Sequence, residues 1–172
     1  MKALLELDPN DHADLLEHLL ERNSLQEQAA FLFVAGKPMN DRIKFQVIDS
    51  YKATADDFAS QEGDYLELAD DARKGLIKRA HELNASLVEI HSHPGPWPAG
   101  FSLADRIGLQ ETVPHMWWRL KGRPYLAIVV AKSGFDALVW LDNPKIPQPL
   151  AGILLGQRIL MPTNNSLEGW HE

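Results

Sequence analysis

The chain has 172 residues, enough for one domain with a substantial core and little room for a second. Its net charge is -7, and its lysines and arginines are scattered among acids, so the basic stripe of a nucleic-acid binder is missing. It has no cysteine, which excludes disulfides, thiolate metal sites and a cysteine nucleophile. No apolar run reaches the length of a membrane span, and MKALLELDPND turns acidic too early for a signal peptide. The expectation is a cytoplasmic protein with neither nucleic-acid nor membrane partners, one domain over 1–172, with the tail after about 162 loosely held.

Asp8 followed by Pro9 reads as an N-cap and first helical residue, and Leu15, Leu16, Leu19 and Leu20 recur at helical spacing, predicting a helix over about 9–22. AAFLFVAG, ending at Gly36, is apolar on both faces and predicts a strand buried on both sides. KPMND is turn chemistry, and the alternation from Ile43 to Ser50 predicts the returning strand of a hairpin. Residues 51–64 are polar, acidic and without period, and read as a loop or a short edge element. Leu68, Ala72, Leu76, Ala80 and Leu83 lie on one helical face, predicting a helix over 68–84 that stops at Asn84.

Ser86 to His91 reads as a strand, and Ser102 to about Lys121 as a helix that Pro114 must kink or split. Trp117 and Trp118 on that helix read as core. Tyr125 to Ala131 and Phe135 to Leu141, joined by a Ser-Gly turn, predict a second hairpin. Asn143 to Pro149 reads as a connector, and Ile153 to Met161 fits a strand or a short helix equally. Helices alternate with strands that come partly as hairpins. The predicted class is therefore α/β (α+β), a mixed, mainly antiparallel sheet flanked by helices. No Gly-rich phosphate loop follows the first strand, so nucleotide-binding folds have no local support.

The chemistry gathers in VEIHSHPGPWPAGFSLADRIGLQ, Val88 to Gln110. Residues i and i+2 of a strand share a face, so His91 and His93 can aim at one ion from a strand end. Asp105, in the first turn of the next helix, can close a third position. Such a His, His, carboxylate set suits a catalytic zinc with water as fourth ligand. Ser102 and Asp105 also form a helix-capping box, which alone would account for both. Glu27 heads the first buried strand, where a carboxylate is costly unless paired or at work, though it also reads as a surface acid. Glu89, alternating with His91, is the main rival for acid/base work. His81, His115 and Glu111 are lesser ligand candidates.

His91-Ser-His93-Pro94 followed by Ser102-Leu-Ala-Asp105, with Glu27 upstream, resembles the JAMM zinc metalloproteases, the isopeptidase class built on the JAB/MPN domain. Eight residues, PGPWPAGF, separate His93 from Ser102, one more than the family's usual spacing. By element order the likeness runs from the first helix to the second hairpin, and is nearest to minimal bacterial members.

The resemblance implies a single JAB/MPN-like domain binding one Zn²⁺ per chain through His91, His93 and Asp105. Glu27 is then the general acid/base and Ser102 the oxyanion donor. It implies cleavage of the amide after the C-terminal glycine of ubiquitin or a ubiquitin-like protein, received as an extended tail by strand addition at a sheet edge. Gly95, Trp97, Gly100 and Phe101 are the candidates to line that groove, with Trp97 at its rim. Two other readings remain open: a non-catalytic scaffold of the same domain type, and a zinc hydrolase of a small amide or peptide.

Overall fold

The computed structural model describes residues 1–61, 66–167 and 170. Residues 62–64 of the expected polar loop, and the last residues of the tail apart from Trp170, lie outside them. The chain runs β1 (Lys2–Leu7), α1 (Pro9–Leu19), β2 (Ala29–Met39), β3 (Arg42–Lys52), a 3-10 turn (Ala55–Asp57), β4 (Phe58–Gln61), β5 (Leu66–Leu68), α2 (Asp70–Glu82), β6 (Ser86–Ser92), α3 (Leu103–Arg119), β7 (Tyr125–Ala131), β8 (Gly134–Trp140), β9 (Gln148–Pro149), β10 (Gly152–Leu155) and β11 (Arg158–Leu160).

The expected α/β (α+β) class, a sheet flanked by helices, is corrected by this architecture. The fold is β-rich, with 40% strand against 27% helix, and its frame is one curled sheet of nine strands. Among the described residues only three α-helices accompany it. The sequence undercounted strands for a physical reason. β1 is a short run, KALLEL, without a clear alternation, and β4, β5, β9 and β11 have at most four residues each, too few to show a period. The ambiguous stretch from Ile153 to Met161 resolves as the antiparallel pair β10–β11. The first hairpin is longer than expected, with 11 residues in each strand.

The strand order is β11-β10-β1-β3-β2-β6-β7-β8-β9. β2 runs antiparallel to β6 with Ala29 opposite His91, so the start of β2 lies beside the end of β6. β6 and β7 are parallel, and α3 crosses between them. Period-2 alternation sorts the core to the two faces of the sheet. Leu32, Val88, Ile90 and Ile128 join Leu15 and Leu19 of α1 on one face. Phe31, Phe33, Leu87 and Val129 join Leu76 and Ile77 of α2 and Leu109, Val113 and Met116 of α3 on the other.

Helix α1 starts where Asp8 accepts the N–H groups of Asn10 and Asp11, with Pro9 as its first residue. Helix α3 is assigned as helix from Leu103 to Arg119 with Pro114 inside it, not split there. Trp117 packs partly against the core, but Trp118 is exposed, so only one of the pair belongs inside.

The described part of the tail departs from a second expectation, because it is tied down. Asp136, 1% exposed on β8, accepts the N–H groups of Asn164 and Ser166 and the Ser166 hydroxyl. Ser166 in turn accepts the N–H of Phe101, and Thr163 donates its hydroxyl to the Ala99 carbonyl. Trp170 is buried against Trp140. The polar letters of PTNNS gave no sign of this, because their partners lie 28 to 65 residues away.

Candidate metal centre

Three segments meet at the end of β6. The strand itself delivers His91 and, just beyond its end, His93. The His93 N–H donates to the Val130 carbonyl at 2.8 Å, so the residue after the strand still follows the sheet. Ser92 lies between them on the opposite face and is fully buried. The turn-rich loop Pro94–Phe101 then carries the chain to the N-cap of α3.

Both elements of the capping box form: the Ser102 hydroxyl accepts the Asp105 N–H at 3.1 Å, and Asp105 Oδ2 accepts the Ser102 N–H at 2.9 Å. The capping and ligating readings of Asp105 are therefore not alternatives. The same Oδ2 lies 3.2 Å from His91 Nε2 and 3.0 Å from His93 Nε2.

Glu27 arrives from far away in sequence. It sits two residues ahead of β2 and is 3% exposed, which overturns its reading as a surface acid. Its Oε1 lies 3.5 Å from His93 Nε2. The backbone around it is anchored from two sides. Gln28 donates its N–H to the Ser92 hydroxyl at 2.9 Å, and the Gln61 amide donates to the Glu27 carbonyl at 2.9 Å. Neither Ser92 nor Gln61 was a sequence candidate. Ser92 was hidden as the middle letter of H-x-H, and Gln61 sits in a stretch with no readable period.

Glu27, His91 and His93 form a group that could hold a metal ion, with ligand atoms all within 4.8 Å of one another. The donor spacing fits a small tetrahedral ion. Ligand bonds of about 2.0–2.2 Å around such an ion put neighbouring donor atoms ~3.3 Å apart. The two Nε2 atoms here are 3.2 Å apart, and the carboxylate distances run from 3.0 to 3.5 Å. Two imidazole nitrogens facing each other at that distance need a shared cation or proton between them.

The electrostatics show the same convergence. Burial alone would raise the Asp105 carboxyl, but hydrogen bonds from His91 and His93, the His91 charge and the Ser102 N–H outweigh it and hold the group far below the usual carboxylate range. Burial pushes His91 down, while the Asp105 hydrogen bond and the charges of Asp105, Glu27 and Glu89 more than reverse that, so its net shift is upward.

The other candidates are dispersed. Glu89 is on the His91 face of β6 but sits deeper, accepting the Tyr125 hydroxyl at 3.0 Å. Burial raises its carboxyl. His81 contacts Arg123 at the far end of α2, and His115 lies ten residues beyond Asp105 on α3. Of the expected groove residues, Trp97 is 77% exposed and folds its ring over Gly95. Gly100 instead faces the tail, where a Cβ would meet Asn165. Phe101 is a core residue: it is buried, with its ring 5.8 Å from that of His91, and it backs the ligand rather than lining an open groove.

No helix is long and apolar enough to cross a membrane among the described residues. No family model matches the chain, and no curated protein matches it.

Proposed function

We propose that this chain is a zinc-dependent hydrolase of amide bonds, working in the manner of the JAMM metalloproteases that its His91–Asp105 run resembles. We take its substrate to be the amide after the C-terminal glycine of a ubiquitin or ubiquitin-like protein. The observation that carries the reading is the convergence of Glu27 on the His91, His93 and Asp105 cluster from 64 residues away in sequence. The reading rests on this site and on the resemblance of its motif, and does not draw on the fold.

In this proposal His91, His93 and Asp105 hold the ion. When bound, zinc supplies Lewis acidity that brings the ionisation of water towards neutral pH. Glu27, desolvated and beside His93, takes the proton of the attacking water and returns it to the leaving amine. The Ser102 oxygen already accepts the Asp105 N–H, so its own proton is available to donate to the developing oxyanion, a contribution of about 3 kcal/mol at comparable sites. Phe101 keeps water from the back of His91. Trp97 is exposed on the loop between His93 and Ser102, and in this proposal an arriving chain meets it there.

The test joins metal content to cleavage. Purified protein should carry one zinc per chain by elemental analysis and should cut a glycine-terminated ubiquitin-like fusion in a chelator-sensitive way. Absence of zinc uptake near neutral pH would remove the central argument. Zinc uptake without cleavage of any such fusion would turn the reading to a small amide substrate or a scaffold.

A further inference from the structure

A cavity of about 390 Å³ continues from the metal centre into the space between the sheet, α2 and α3, and the proposed reaction leaves it unused. About half of its wall is apolar: Phe31 and Leu87 from the sheet, Leu76 from α2, Leu109 and Met116 from α3. On its sheet side stands Glu89, two residues before His91 on the same face of β6 and so ~7 Å from it along the strand. The Tyr125 hydroxyl fixes one oxygen of that carboxylate at 3.0 Å. A carboxylate in such a place is costly to desolvate, and the nearby charges of His91 and Arg73 together with the Tyr125 hydrogen bond offset only part of the cost.

The charge of the lining is one-sided. Among the described residues, Glu27, Glu67, Glu89, Asp105 and Glu111 line the cavity, with one guanidinium, that of Arg73.

We infer that this cavity is a substrate pocket for an aliphatic side chain ending in a cation, of the lysine kind, on the residue that follows the glycine across the scissile amide. The apolar walls take the methylene stem, and the Glu89 carboxylate, oriented by Tyr125, takes the ammonium. A four-carbon stem reaches over a distance of the order of that between His91 and Glu89. The position next to the scissile bond rests on the proposed zinc hydrolase; the preference for an aliphatic cation rests on the cavity alone.

The test uses a neutral isostere. Succinamide hydroxamates bearing a 4-aminobutyl branch (the lysine side chain) or an n-butyl branch (the norleucine side chain) on the carbon next to the carboxamide, and so on the amine side of the scissile bond, should both bind the zinc-loaded protein, the lysine compound at least ten-fold tighter. The Met116 methyl resonance should shift with it. Glu89→Gln should bring the ratio close to one with zinc content unchanged. Gly108→Leu is a second variant, because Gly108 lines the cavity and a Cβ there meets nothing within 4 Å. It should block the pocket, abolish the lysine preference and leave the fold intact. Equal affinity for the two compounds, a preference that survives both variants, or an unmoved Met116 resonance would overturn the inference. If the protein takes up no zinc, the corresponding carboxamides on chelator-treated protein decide the matter. A lysine preference read at Met116 keeps the pocket while the hydrolase reading falls, and no preference removes the pocket as well.

Discussion

The hydroxyl of Ser92 accepts the backbone N–H of Gln28 at 2.9 Å, and through it the residue between the two site histidines fixes the residue that follows Glu27. The Ser92 N–H also donates to the Gln28 carbonyl at 3.0 Å, so the two residues are clamped on both sides. The strand's two-residue period does the rest: with His91 and His93 on one face, Ser92 must point to the other. There it meets the segment leading into β2.

Ser92→Ala leaves the Gln28 N–H without its acceptor in a part-buried place, a loss of about 1–3 kcal/mol. Its effect on turnover should be larger than its effect on stability, since a shift of ~1 Å in a catalytic group can cost on the order of 10²-fold. The expected result is a modest fall in melting temperature, unchanged zinc content and a loss of kcat of about that size. Full turnover in the variant would show that Glu27 does not depend on this clamp.

Glu27 and Glu89 make opposite predictions for the acid/base role. Glu27→Gln should keep the fold and the zinc and abolish cleavage, because only Glu27 stands 3.5 Å from His93. Glu89→Gln should retain measurable turnover, with its effect on substrate selection. Cleavage lost in Glu89→Gln and kept in Glu27→Gln would exchange the two roles.

The legibility of the sequence followed the range of the interactions. β7, α2 and the H-x-H strand were readable because their signals are local: β-branched runs, a 3.6-residue apolar period, and histidines at a strand end. The capping box of Ser102 and Asp105 was equally visible, being four consecutive residues. β1 was missed because KALLEL takes its place only through parallel neighbours on both sides, β3 and β10, the latter some 150 residues later in the chain. That omission, with the short strands of the second half, is what made a β-rich fold read as α/β. The Gln61 anchor and the Asp136–Ser166 clasp were invisible for the same reason, since nothing next to a polar side chain says which distant backbone group it will meet.

Trp97 offers a direct comparison of binding with stability. At 77% exposure it contributes little to the core, so Trp97→Ala should change stability by no more than about 0.5 kcal/mol. If it greets the substrate at the rim of the cleft, the Michaelis constant should rise several-fold with kcat and zinc content near those of the parent. Unfolding of the variant, or an unchanged Michaelis constant, would place the groove elsewhere.

A pH dependence separate from the metal centre comes from Asp49. The Arg79 guanidinium, donating to its Oδ2 at 3.0 and 3.1 Å, holds its carboxyl below the ordinary value of 3.8, with help from the Ser50 N–H. A carboxyl whose folded pKa lies below its unfolded one adds stability that is complete above the unfolded value and disappears as pH falls through the folded one. Both side chains are more than a third exposed, so solvent screens the pair and the gain is small. Asp49→Asn should therefore melt slightly below the parent at neutral pH, and the two melting curves should converge as the pH is taken down from about 3.8. A gap that widened on acidification would contradict this sign.

The clasp at the tail ties stability to the loop that carries Ser102. The Ser166 hydroxyl is buried, donates to Asp136 at 2.5 Å and accepts the Phe101 N–H at 2.8 Å. Ser166→Ala removes both bonds and leaves the Phe101 amide without an acceptor beside the N-cap of α3. By the usual cost of a buried hydrogen bond to a charged group, the loss should be about 2 kcal/mol. In a chain of this length that lowers the melting temperature by ~4–8 °C. The more specific readout is hydrogen exchange: the Phe101 amide should lose protection while the amides of β7, paired on both sides within the sheet, keep theirs. If Phe101 remains protected in the variant, another acceptor replaces Ser166, and the tail does not hold the loop in the way its hydrogen bonds indicate.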